Sequence, residues 1–588
     1  MTNINYVETN EQLDKCIDDL KGRRKLAVDT ETNGLDPLAN DLLLIQMGTK
    51  DVQYVIDVYK LQKYLPKLSI VLNNPEIEKI FHNAKFDLKF LKANLDLDVN
   101  RVKCTMINDQ LLYAGRKVSH SLQNTLNRHL SIPIQKEQQK SFIDMRFGDT
   151  FTREQVHYAA VDVQHLIELN ELLEKYLLEQ DMITLMELEM DTIYATCDLE
   201  LNGIYLDPDS WLALKDEALV ESNKAKLELD SHFIDICEVD MFGNVSLNYN
   251  SPSQLKPKLE QITGESISST SVGVLQKINH PVIKALLDYR GHTKRLTTYG
   301  EDFLNTHVSK VDGRVHSDFI QLGADSGRYA SRNPNMTNIP SSAKYRAAFK
   351  VQKSTNKMIS ADFSGQELRL LAHLSQEPRF IDAIQQGIDL HTNSASLIFG
   401  IPYDQVEKPQ RNAAKGLTFG LIYGIGPKKL SDNLDIKYEE ARQLMDKYYK
   451  TFPKIKTLLN DLASTAQRRH VAVSPLDGRQ RDLTTFDWKN RREVAHAINI
   501  SKNLPFQGAG ASVTKLALCR IRRRINEGNL DAKLVNVIHD EVVVETNKSC
   551  AEEMAKIVEN EMVAAFNKFA PSVPMDVDAS IENHWVKG

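Results

Sequence analysis

Short apolar runs open the chain, and residues at helical spacing follow them. Leu26-Ala27-Val28, Leu42-Leu43-Leu44-Ile45-Gln46-Met47 and Tyr54-Val55-Ile56 read as strands, and helical periodicity runs through 76–91 and 154–178. Strands followed by helices predict an α/β domain. A long helical stretch from 171 to about 201 leads into a different rhythm, so a domain boundary is expected near 185. From about 210 to 310 the pattern is helical and lysine-rich, with a polar interruption at 248–253. Strand signals return at 314–321 and 358–361, and a mainly helical block covers 380–470. Two further strands, 534–538 and 542–545, flank His539-Asp540-Glu541 and predict a hairpin.

Composition narrows the class without choosing a function. With 588 residues the chain is long enough for several domains. Its 42% hydrophobic and 26% charged residues are ordinary for a globular protein. No apolar run approaches the roughly 20 residues that span a membrane. The N-terminus lacks the basic-then-apolar pattern of a secretory signal. Six cysteines lie far apart with no CxxC spacing, as expected of free thiols in a reducing compartment. A cytoplasmic protein with no membrane contact is expected. The net charge of −6 means that any affinity for nucleic-acid phosphates must come from local basic surface.

Candidate chemistry begins at Asp29 and Glu31, two residues apart in a strand and therefore on one face. Paired carboxylates there suit a hard divalent cation. Alone, such a pair is commonly just a charged strand edge. His82-Asn83-Ala84-Lys85-Phe86-Asp87 adds a third acid near a helix start, and Tyr158 and Asp162 share a helical face at i and i+4. In this order the motifs resemble the DEDD exonuclease family, in its tyrosine variant, over about 1–180. The resemblance implies a ribonuclease H-like α/β domain in which Asp29, Glu31, Asp87 and Asp162 hold two metal ions. It further implies that Tyr158 orients the attacking water and that Asn83 helps place the strand.

A second set of motifs fills the remainder. Asp362 stands at a strand's end before a helix, in Asp362-Phe363-Ser364-Gly365-Gln366-Glu367, and Asp540 sits at the expected hairpin tip. Between them Arg411, Lys415, Phe419 and Tyr423 recur every four residues. On a helix they make one slowly wrapping stripe about 18 Å long, with cations at one end and aromatic rings at the other. Such a stripe suits a nucleotide. Gly416 and Gly420 each cost about 1 kcal/mol inside a helix, which points to close packing or a helix that swings.

These motifs resemble family A DNA polymerases of the Klenow-fragment type, over nearly all of 186–588. The resemblance implies an α+β right-hand polymerase domain over 186–588 behind an exonuclease domain over 1–185. Thumb is expected over about 205–310, palm over about 311–380 and 500–588, and fingers over about 381–499. By the same resemblance Asp362 and Asp540, with Phe363 beside them and Glu541 nearby, bind two Mg²⁺ ions, for which Mn²⁺ can substitute. Arg411, Lys415 and His391 grip the triphosphate of a dNTP, Glu367 excludes ribonucleotides, Phe419 disfavours dideoxynucleotides and Tyr423 stacks beside the template base. Arg328, Asn335, Asn503, Gln507 and His539 touch primer–template DNA.

The pattern departs from its relatives at Gly365 and Gln366, where the commoner motif has Gln-Ile, leaving open how firmly Glu367 is held. Thr337 and Asn499 replace residues that contact the minor groove elsewhere. Upstream of residue 20 there is no room for a 5′ nuclease domain, a layout similar to replicative enzymes of phages or to a separately encoded bacterial enzyme. A monomer is expected, and replisome partners such as a helicase or primase leave no mark. A nuclease with a degenerate DNA-binding half, a polymerase with an inactive exonuclease scaffold, and a transferase acting on RNA templates stay open at this stage.

Overall fold

The computed structural model describes residues 3–133, 139–241, 243–340 and 342–587. Strands β1 (Asn3–Val7), β2 (Lys25–Thr32), β3 (Leu42–Gly48), β4 (Val52–Asp57), β5 (Glu78–Phe81) and β6 (Val102–Cys104) form one sheet in the order β1-β4-β3-β2-β5-β6. β2 is interior, antiparallel to β3 and parallel to β5. Leu26, Ala27 and Val28 are fully buried, the continuous apolar run of a strand covered on both faces.

The expected helix over 76–91 is instead β5 followed by α1 (Ala84–Leu95). Pairing with β2 and β6 decides this segment, and Lys79 is accommodated by bonding its ammonium to the Asn74 and Ile77 carbonyls at 2.7 and 2.8 Å. The expected helix over 154–178 is two, α2 (Arg153–Gln164) and α3 (Leu166–Glu179), which break at His165. α2 starts on a capping box between Thr152 and Gln155.

A turn at Gln180–Met182 also divides the long helix expected over 171–201, and α4 (Ile183–Asn202) begins after it. Leu185, Met186, Met190 and Ile193 of α4 enter the first core, whereas Ala195 and Leu199 enter the second. The position near 185 therefore lies inside a helix shared by both cores. Beyond it α5 (Pro208–Ser231) packs against α6 (Pro281–Thr298), and a small core around Phe233, Leu255 and Leu286 fills the tip. At the base, buried Trp211 meets the rings of Tyr299, Phe303 and Phe349 and that of Tyr345 on α7 (Ala343–Ala347).

β7 (Asn356–Phe363), β8 (Ala532–Ile538), β9 (Glu541–Asn547) and β10 (Val577–Glu582) form an antiparallel sheet in the order β8-β9-β7-β10. The sequence reading lacks β10, whose Val-Asp-Ala-Ser-Ile-Glu is half-exposed and weakly apolar, as an edge strand permits. α8 (Gln366–Ser375) follows β7 through Gly365, whose φ of 61° is natural for glycine. α9 (Leu390–Phe399) and α10 (Lys408–Ile422) lie in the helical block, and α11 (Arg491–Glu527) runs 37 residues beneath the sheet and the block. A division at 499/500 would cut through α11. Among the described residues no helix is long and apolar enough to cross a membrane.

An ionic seam joins α1 to the second half. Lys85 reaches Glu200 of α4 and Asp318 at 2.6 Å each, Lys89 reaches the other Glu200 oxygen, and Arg332 reaches Asp318 at 2.6 Å. Burial pushes the Asp318 carboxyl up, but the Lys85 charge and hydrogen bond, with Arg332, outweigh it and hold the pKa at about 2. An unfolded aspartate titrates near 3.9, so this seam stabilises the fold above about pH 4 and loses that contribution as the pH falls towards 2. The stability difference between wild type and Asp318→Asn, read by urea unfolding, is expected to shrink across that window. A difference independent of pH would contradict the assignment.

Candidate active sites

In the first sheet Asp29 and Glu31 project from the same face of β2, and α2 lays Asp162 beside them. One ligand atom from each of the three carboxylates falls within 4.8 Å of the others. Tyr158, one helical turn before Asp162, is 7% exposed, and burial together with the Asp162 and Glu31 charges drives its hydroxyl pKa far up. Its phenol stays protonated and able to donate. Asp87, in the first turn of α1, accepts the Thr30 hydroxyl at 2.7 Å and interacts with Asp29. It adjoins the cluster without entering it, and burial raises its carboxyl to about 7. Asn83 caps α1 in a left-handed conformation, φ 68°, half-buried at the rim.

The second sheet gathers another acidic group. Asp362, next to last in β7, faces Glu541 of β9 on one side and Asp578 of β10 on the other. Asp540 occupies the β8–β9 turn beside exposed His539, whose φ is 55°. Burial first, then the Asp540 and Glu541 charges, pushes the Asp362 carboxyl to about 7. Its Oδ1 is buried with no hydrogen-bond partner. The Phe363 ring belongs to the core, 2% exposed, so only its backbone faces the acids. Oxygen-only, anionic donors with an unpartnered buried carboxylate oxygen fit a hard divalent cation.

Glu541 is differently placed. Trp585 Nε1 donates to one of its oxygens at 2.6 Å and Arg346 to the other at 3.0 Å, with the guanidinium 4.5 Å above the indole centroid. Neither partner was legible beforehand, since a lone tryptophan near a chain end carries no signal. Arg369 also escaped notice. It braces the segment after Asp362 by donating to the Ser364 carbonyl at 2.8 Å and to Asp576 at 2.7 Å.

Above the sheet, α10 presents the expected stripe with one change. Tyr423 lies just past the helix end, as its C-cap. Its ring stacks on Phe419 at 6.3 Å and 20°, and His391 lies 5.8 Å beyond. The Tyr423 hydroxyl donates to Glu367 at 2.7 Å, the other Glu367 oxygen accepts from Arg328, and Gln507 of α11 also bonds Tyr423. Glu367 is therefore held from two sides. Gln366 is buried, wedged where any side chain on Gly510 would strike it. A Cβ on Gly420 would collide with Ile425, so the glycine serves close packing.

Arg411 pairs bidentately with Asp389, at 2.9 and 3.0 Å, and Asp389 also caps α9 through Thr392. Burial opposes ionisation of Asp389, but these bonds hold its carboxyl well below the usual range. Burial lowers the pKa of His391. Lys415 is exposed on α10. Asn503 lies one turn before Gln507 on α11, its Oδ1 buried and unpartnered. Asn335 is exposed and caps the turn Met336–Asn338 by accepting the Thr337 amide at 3.0 Å.

Each of the two sheets thus carries its own group of carboxylates, and the family matches give each half its class: nucleotidyl transfer and a nuclease. The model for DNA polymerase family A matches residues 219–587, and that for 3′–5′ exonuclease matches 4–178. The chain belongs to DNA polymerase family A and carries a 3′–5′ exonuclease domain. DNA polymerase I of Aquifex aeolicus is 30% identical, across 99% of both chains. The thermostable DNA polymerase I of Thermus aquaticus is 31% identical over 75% of this chain but 52% of its own length, and the Chloroflexus aurantiacus DNA polymerase I is matched over 62% of its length. The fold is similar to the polymerase domain of Pol1 from M. smegmatis, solved with DNA primer–template and dNTP, at a TM-score of 0.87, 24% identity and 99% coverage of each chain. Both families use divalent metal ions.

Replacing Asp29 and Glu31 together by alanine is expected to remove ion binding at the first cluster. Titration with Mn²⁺, followed by calorimetry, should then find fewer bound ions than in wild type. An unchanged stoichiometry would contradict the cluster as a metal centre.

Proposed function

We propose that the chain extends a primer 3′ end along a DNA template with dNTPs and removes mismatched 3′ nucleotides at its second centre. The observation that carries this reading is Asp362 buried against Asp540 and Glu541, an excess of negative charge that Arg346 and Lys587 offset only in part. Asp362 and Asp540 in one centre, and Asp29, Glu31, Asp87 and Asp162 in the other, would hold Mg²⁺ ions, which lower the pKa of the attacking hydroxyl or water and offset charge on the leaving group.

The chain's own residues do the rest by binding and orienting. Arg411, Lys415 and His391 grip the triphosphate, and Arg411 exchanges part of its Asp389 pair for phosphate oxygens. Phe419 and Tyr423 offer ring faces to sugar and base. Glu367, clamped by Arg328 and Tyr423, lies under the sugar and leaves no room for a 2′ hydroxyl. Asn503, Gln507, Arg328, His539 and Asn335 contact the primer–template, and Asn83 steadies the strand at the exonuclease centre. There Tyr158 donates to the attacking water and orients it.

Asp540→Ala is expected to slow single-nucleotide incorporation roughly a thousandfold, equivalent to about 4 kcal/mol of barrier. Extension at the wild-type rate would sink the assignment of this centre. Asp29→Ala with Glu31→Ala should abolish excision of a mismatched 3′ nucleotide and leave matched extension within about twofold, as distant sites act independently. Gel-resolved extension from a mismatched primer, with and without dNTPs, reads both outcomes.

A further inference from the structure

Resting on that reading, we propose that Glu189 is a positioning residue of the polymerase centre: with Lys515 and Arg479 it fixes the 321–329 segment so that Arg328 meets Glu367. Glu189 lies on α4, outside every motif named above, and its side chain is wholly buried. Lys515 of α11 donates to both its oxygens, at 2.7 and 2.8 Å, and Arg479 donates to one at 2.8 Å. Asp477 completes the group 3.4 Å from Arg479 Nε and accepts from Ser512 at 2.7 Å. Two cations and two anions balance, which a buried group requires, since an uncompensated charge there is very costly.

The segment that presents Arg328 is tied to this group at three points. Gln321 donates to the Glu189 carboxylate at 2.5 Å and to its backbone carbonyl at 2.7 Å. The Tyr329 ring lies 5.5 Å beneath the Lys515 ammonium, and its hydroxyl bonds Thr196 of α4 at 2.7 Å. Gly327 packs so tightly on the Arg479 guanidinium that any side chain there would collide with it. Arg479 also packs its stem on Gly508, the neighbour of Gln507. Arg328 and Gln507 both converge on the Glu367–Tyr423 pair. One buried charge group thus braces the two flanks of the nucleotide site from behind.

A double-mutant cycle tests this. Glu189→Gln keeps the size and an acceptor but removes the charge. It is expected to lower kcat/KM for a correct dNTP roughly tenfold, and in an Arg328→Ala background to add less than about twofold, because both act through one contact. Excision of a single-stranded 3′ end reports that each variant is folded. Should Glu189→Gln fail that check, Glu189→Gln with Lys515→Met, which removes one charge of each sign, takes its place with the same expectations. Losses that multiply, or a wild-type rate in the Glu189 variant beside a slow Arg328→Ala, overturn the inference alone. A wild-type rate in Arg328→Ala overturns the role given to Arg328 and this inference with it.

Discussion

A carboxylate taken out of water must find a positive charge or several hydrogen bonds, or else give up its ionisation. This chain meets that constraint in two opposite ways. Glu189 is answered by Lys515 and Arg479, Glu200 by Lys85 and Lys89, Asp109 by Arg128 with His120 and His129, and Asp389 by Arg411. Asp362 is answered mainly by more acids, with Lys587 the cation that opposes them. The compensated acids hold segments together, and the crowded ones repel one another with little relief.

Two of the compensated acids, Glu189 and Glu200, sit where the two halves meet. α4 supplies Glu189 and Glu200 on successive stretches of one helix, and its apolar residues enter both cores. The Lys85 seam ties the exonuclease helix α1 to Asp318, a few residues before the segment that presents Arg328. Both centres are therefore built against a common strut. The frames of the two sites are thus mechanically joined.

Four of the acids, Asp29, Glu31, Asp362 and Glu541, lie on interior strands. β7 pairs on both edges at Asp362, and β2 carries Asp29 and Glu31 opposite β3 just beyond its pairing with β5, so these backbones are held while like charges repel. Glu541 shows the cost of proximity, because it stays opposite Asp362 only with Arg346 and Trp585 holding its oxygens. Gly365 and Gln366, which depart from the commoner motif, fit this frame: one supplies a left-handed turn and the other wedges against Gly510.

What the sequence determined by itself was local. Period-2 spacing put Asp29 and Glu31 on one face, period-3.6 spacing aligned Tyr158 with Asp162 and Arg411 with Lys415, and ordered motifs identified the family. Those signals are short-range, so they survive without knowledge of the fold. Tertiary structure decided the rest. It made 78–81 a strand by pairing it on both edges, ended α10 before Tyr423, and added β10 as a polar edge. It alone showed how buried Glu189 is compensated, because the charges that answer it come from residues about 300 positions away.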